Sequence, residues 1–126
     1  MKIIAAAFLF FIGANYMYVQ SISGFWNTRK ENTIVEISEE NGEFLGKIKS
    51  SDNEKVTIGK VILKDLIKQN DKWIGKLFAV KSQNWYDVEI TPNETKLDLS
   101  VTAGFFEKAV QWSKVINLEY GLVEEV

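Results

Sequence analysis

The chain has 126 residues, with 15 Lys plus Arg against 17 Asp plus Glu, one Pro, and neither His nor Cys. That length suits one domain built on one hydrophobic core. The missing His and Cys exclude a Ser-His-Asp triad, a Cys-His pair, a thiolate nucleophile and a zinc site made from those residues. Carboxylate acid–base chemistry and hard-metal binding through oxygen ligands stay open. A formal charge of −2 with dispersed lysines argues against a nucleic-acid partner, whose phosphates demand a concentrated basic face.

In chain order, the first segment reads as an address. Lys2 precedes an apolar run from Ile3 to Gly13, and smaller, less apolar residues follow to Ser21. One positive charge, about a dozen apolar residues and small residues beyond them make a secretory signal peptide over 1–21, leaving a domain over 22–126. The expected location is therefore periplasmic or secreted. The alternative is an uncleaved N-terminal anchor in the inner membrane, for which Ile3 to Val19 is at the lower length limit. After cleavage no stable membrane span is expected.

Past Ser23 the pattern has period two, the mark of half-buried strands. Thr33, Val35 and Ile37 alternate with polar residues. Asn41-Gly42 supplies a tight hairpin turn, and Phe44, Gly46 and Ile48 continue on the return strand. Gly59 to Leu63 reads as a short strand and Lys64 to Gln69 as a turn of helix. Trp73 to Val80 reads as a strand, followed by Tyr86, Val88 and Ile90, a turn at Pro92-Asn93-Glu94, and then Leu97, Leu99 and Val101. Val110 to Ile116 closes the series, and Tyr120 to Val126 reads as a tail. About eight short strands with no crossover helix imply antiparallel meanders. The expected fold is all-β, a single antiparallel up-and-down barrel, with a β-sandwich as the alternative.

The ends of the domain carry a pattern of their own. Gly24-Phe25-Trp26 opens the first strand and Trp112-Ser113-Lys114 lies in the last. This resembles the lipocalin-type barrel, in which such a Trp plugs one end and a cation lies against its ring. The chain further resembles a family of small exported bacterial proteins, a domain of unknown function with a lipocalin-like fold. The resemblance runs through Leu45-Gly46-Lys47-Ile48, Gly59-x-Val61-Ile62-Leu63, Trp73-x-Gly75-Lys76-Leu77, Tyr86 and Trp112-x-Lys114. It departs at Lys114, where that family commonly has Arg, and at Ala79 to Asn84, where it usually has an Asp-Pro turn. It implies a fold and a compartment but no reaction. Gly24, Trp26, Trp112 and Lys114 accordingly read as a structural motif.

For function, the inward series Val35, Ile37, Phe44, Ile48, Tyr86, Val88, Ile90, Leu97, Leu99 and Val101 lines the lumen. Phe105, Phe106 and Arg29 are expected at its entrance. Together they suggest burial of a small apolar or amphipathic ligand. Eight strands leave an interior that side chains can fill, while Gly46 and Gly75 in inward series suggest space. The alternative is a filled barrel acting as a protein-binding or inhibitor-like module through Trp85, which shares the outer face with Asp87 and Glu89. Those two carboxylates sit on a solvent face where nothing raises a pKa, so no catalytic residue can be named and a non-enzymatic role is expected. No cofactor and no metal ligand set are readable.

Overall fold

Alternation of apolar and polar residues folds the chain into eight strands: β1 (Gly24–Asn27), β2 (Ile34–Glu40), β3 (Glu43–Ser50), β4 (Val61–Gln69), β5 (Lys72–Ala79), β6 (Asn84–Asn93), β7 (Lys96–Ala103) and β8 (Phe106–Lys114). The computed structural model describes residues 21–116. The N-terminal segment read as a signal peptide, up to residue 20, and the tail from Tyr120 lie outside the described residues. Consecutive strands pair antiparallel and β1 meets β8, giving a closed up-and-down barrel rather than a sandwich. Among the described residues no helix is long and apolar enough to cross a membrane.

Up-and-down connection sorts the loops between two ends. One end gathers the start of β1, the end of β8 and the tight β2–β3, β4–β5 and β6–β7 turns. The opposite end gathers the segments 28–33, 51–60 and 80–83 and the β7–β8 turn. Asn41 and Gly42 both have positive φ, 55° and 84°, as the expected hairpin turn requires.

Large side chains fill the barrel toward the first end. Trp26 and Trp112 are buried there. The indole N–H of Trp26 donates to the Ile22 carbonyl at 3.0 Å, and Lys114 Nζ lies 5.8 Å from the Trp26 ring centroid. Phe44 meets Trp73 edge-on, with centroids 4.8 Å apart. Val35, Ile37, Ile48, Leu63, Val88, Ile90, Leu97 and Leu99 complete the core.

Three expectations need correction. The expected turn of helix at Lys64 to Gln69 belongs to β4. Apolar residues at 62, 63, 66 and 67 imitate helical spacing, but a bulge between Lys64 and Ile67 produces it, with Asp65 at φ 56°. The extra residue hands the inward position from Asp65 to Leu66, which is buried. The last strand begins at Phe106, paired with Ala103, and ends at Lys114, not over Val110 to Ile116. Pro92 and Asn93 still pair with Leu97 and Lys96, so the turn falls at Glu94 and Thr95.

Candidate functional site at the open end of the barrel

A second bulge builds the floor of the site. Gly46 pairs with Leu63 and Lys47 with Val61, leaving Ile62 as the extra residue on β4. Ile62 is buried beside Ile48 under the open end. Above them lies a cavity of about 740 Å³, within the usual range of roughly 300–1,000 Å³ for small-molecule sites. Its apolar surface comes from Ile48, Val56, Ile62, Ala79 and Val80, and its polar rim from Thr28, Thr33, Asn53 and Gln83. Four charged side chains complete the lining, Lys30, Glu31, Lys55 and Lys81.

Two of its walls are tied together. The loop over 28–33 holds three residues at positive φ, Arg29 (65°), Glu31 (54°) and Asn32 (50°). Such a run in non-glycine residues is unfavourable unless the surroundings fix it. Here the Asn27 side chain accepts from the Arg29 N–H at 2.8 Å, and backbone bonds link Thr28 with Thr33 and Thr33 with Lys30. Across to the segment 51–60, Asn32 Nδ2 donates to Asp52 Oδ2 at 2.6 Å and Asn53 Nδ2 donates to Glu31 Oε1 at 3.0 Å. The Thr33 and Ser51 hydroxyls lie 2.6 Å apart. The Asp52 N–H donates to the Glu31 carbonyl at 2.9 Å. These bonds hold the two loops as one preformed wall. The third wall is the β5–β6 turn, closed by Gln83 N–H to the Ala79 carbonyl at 2.8 Å and by the Gln83 side chain to the Val80 carbonyl at 2.7 Å.

Of the residues expected at lumen and entrance, Ile48 is the one that lines this cavity. Val35, Ile37, Val88, Ile90, Leu97 and Leu99 face inward as expected, and they are packed into the core below it. Phe44 and Val101 are half-buried against that core. Tyr86 is also half-buried, and its hydroxyl lies 3.0 Å from that of Ser82 in the turn.

The space expected beside Gly46 and Gly75 is occupied. A Cβ on Gly46 would stand 2.8 Å from Leu63 Cβ, and one on Gly75 would stand 2.6 Å from Leu66 Cδ2. Neighbouring leucines use the room that the glycines leave. The entrance residues also lie elsewhere. Phe105 and Phe106 are 105% and 80% exposed at the tip of the β7–β8 hairpin. Arg29 Nε donates to Ser113 Oγ at 2.9 Å, across the β1–β8 seam. None of these three lines the cavity.

On the outside, Trp85 pairs across from Phe78 and meets its ring edge-on at 5.3 Å, while Lys64 Nζ sits 4.1 Å from the Trp85 centroid. The barrel's own side chains thus cover much of that indole. Asp87 and Glu89 form exposed ion pairs with Lys76 and Lys72. Hydrogen bonding to Asp87, and then its charge, raise the Lys76 pKa above the ordinary 10.5. Among the described residues no three acidic side chains converge as a metal ligand set.

The family described as "Uncharacterized protein conserved in bacteria (DUF2147)" matches residues 24–114, from the glycine that opens β1 to the lysine that ends β8. No curated protein matches the chain.

Proposed function

Because the chain belongs to this DUF2147 family of bacterial proteins, whose description carries no activity, we propose a function from the barrel itself: an exported, non-enzymatic, lipocalin-like protein that holds a small amphipathic molecule at its open end. The observation that carries the reading is the cavity of about 740 Å³ with a buried isoleucine floor and a polar rim. Burying an apolar chain against Ile48 and Ile62 supplies affinity at about 25 cal/mol per Å² of area removed from water. The tied loops lower the ordering cost of binding. Lys114 against the Trp26 ring supports the lipocalin-like reading, and the N-terminal sequence supports export.

Action through the outer face at Trp85 is less well supported, since Phe78 and Lys64 already contact that ring.

The test uses the neutral fluorescent probe N-phenyl-naphthylamine with the wild-type protein and with Ala79→Phe, which places a ring in the cavity. The expected result is saturable binding to the wild type and its loss in the variant, with the unfolding midpoint little changed. Absence of saturable binding, or binding untouched by Ala79→Phe, overturns the reading.

A further inference from the structure

The mouth carries a charge opposite in sign to that of the whole protein. Formal net charge is −2, yet the cavity lining holds three lysines and one glutamate. Lys30 comes from the loop 28–33, Lys55 from 51–60 and Lys81 from the β5–β6 turn, so the three lysines reach the lining from three separate connections.

Elsewhere on the barrel many lysines are engaged. Lys47, Lys72 and Lys76 pair with carboxylates, and Lys60 and Lys64 lie over aromatic rings. Among the described residues, Lys30, Lys55 and Lys81 make no ion pair. Of the three carboxylates in the two loops, Glu54 is exposed and outside the cavity lining, and the other two have partners. Glu31 accepts from Asn53 and Asp52 from Asn32, so both serve the bond network that joins the two loops.

Resting on the cavity as a binding site, we propose that the mouth selects single-chain anionic amphiphiles, with a carboxylate or phosphate among Lys30, Lys55 and Lys81 and the chain against Ile48 and Ile62. Ammonium groups on long stems suit a compact anion approached from several directions, without the planar fork that arginine offers. The floor beneath is apolar and buried, so the ligand's charged end must stay at the rim while its chain descends. A cationic head would meet three like charges against one carboxylate, and a neutral head would accept hydrogen bonds from the lysines without the charge–charge attraction. Two or three partly screened charge contacts in water give about a tenfold preference for the anion, equivalent to about 1.4 kcal/mol.

The experiment is calorimetric titration of the full chain with decanoate, decyl phosphate, decanol and decylammonium, below their micellar concentrations and at low ionic strength. The same series is run on the Lys30→Gln/Lys55→Gln/Lys81→Gln variant. All three lysines are exposed, so the variant should retain the wild-type unfolding midpoint.

Expected is decanoate or decyl phosphate binding about tenfold tighter than decanol, with the tighter of the two naming the head group. The preference should vanish in the triple variant and fade in about 1 M salt, where screening acts within roughly 3 Å. Decanol matching both anions, decylammonium binding tightest, or a preference that survives the triple variant overturns the anion assignment while leaving the cavity reading intact. No binding by any of the four chains overturns both.

Discussion

Gly75→Ala tests how tightly the barrel is packed between its filled and open halves. Gly75 pairs with Val88 on β6, and on its other side it faces the bulge of β4. An added Cβ would stand 2.6 Å from Leu66 Cδ2, 2.7 Å from the Lys64 carbonyl oxygen and 3.2 Å from that of Asp65. Leu66 can rotate, but the two carbonyls move only if the bulge is rebuilt. Overpacking of this kind costs about 1–3 kcal/mol, with backbone obstacles toward the upper end. Loss of glycine's freedom in the unfolded chain returns about 0.4–1 kcal/mol. The net expectation is destabilisation by about 2 kcal/mol, or a fall of about 10 °C in Tm for a domain of this size. Urea unfolding followed by tryptophan fluorescence reads the change as a lower midpoint at unchanged slope. Gly59→Ala is the comparison: Gly59 has φ 92° and nothing within 4 Å of an added Cβ, so its cost is backbone strain alone, about 1–2 kcal/mol. A Gly75→Ala protein within about 0.5 kcal/mol of wild type would refute the packing argument and restore the empty interior that the glycines suggest in the sequence.

Four further outcomes are expected. Lys114→Ala should lose about 0.5–1 kcal/mol with its place against Trp26 and Lys114→Arg should recover or exceed wild-type stability, as read from urea midpoints. Ser51→Ala removes the partner of the Thr33 hydroxyl; it should cost about 1 kcal/mol and speed amide hydrogen exchange in both 28–33 and 51–60. Asp87→Asn should bring the Lys76 titration, followed by NMR at its ε-methylene, back down toward 10.5. A raised lysine pKa stabilises the folded state fully at pH below the unfolded value, and that contribution is lost as pH climbs through the higher folded value, so the variant should differ from wild type below about pH 10.5 and converge with it only once pH has passed the raised folded value. Lys108→Val should promote self-association in size-exclusion chromatography. The β1 pairing of β8 stops at Ser113, so Phe106 to Gln111 has no strand on that side, and an inward-pointing charge there discourages strand addition.

Much of the barrel was legible because its strands obey one rule. Where inward and outward residues alternate without interruption, as from Tyr86 to Ile90 and from Leu97 to Val101, periodicity fixes strand, face and register together. It fails at β4 for a definite reason. A bulge adds one residue and moves the inward series from Leu63 to Leu66, a spacing of three that a helix also produces. The glycines misled for a related reason. A missing side chain marks either a void or a close approach, and only the partner strand decides which. At Gly46 and Gly75 the partner is a leucine already occupying the space.

The candidate site was hardly legible, and topology explains why. Residues that alternate along strands are those that pack against one another across a narrow barrel, so the period-two series Val35, Ile37, Val88, Ile90, Leu97 and Leu99 identifies the core rather than a ligand surface. The cavity instead takes Lys30, Lys55, Val56 and Lys81 from three connections that have no periodicity and lie far apart in the chain. What could have found them is the count of strands. In an up-and-down barrel alternate connections share an end, and here the three longer segments (28–33, 51–60 and 80–83) share one end with the short β7–β8 turn, while every connection at the other end is a tight turn. The bulky plug supplies the complementary signal, with Trp26, Trp112 and the Phe44–Trp73 pair toward the tight-turn end and Ala79, Thr28 and Thr33 at the opposite one. The buried aromatics, Trp26, Trp73 and Trp112, thus lie away from the cavity lining. Both signals, loop length and the position of the aromatics, place the opening among the residues that strand alternation leaves out.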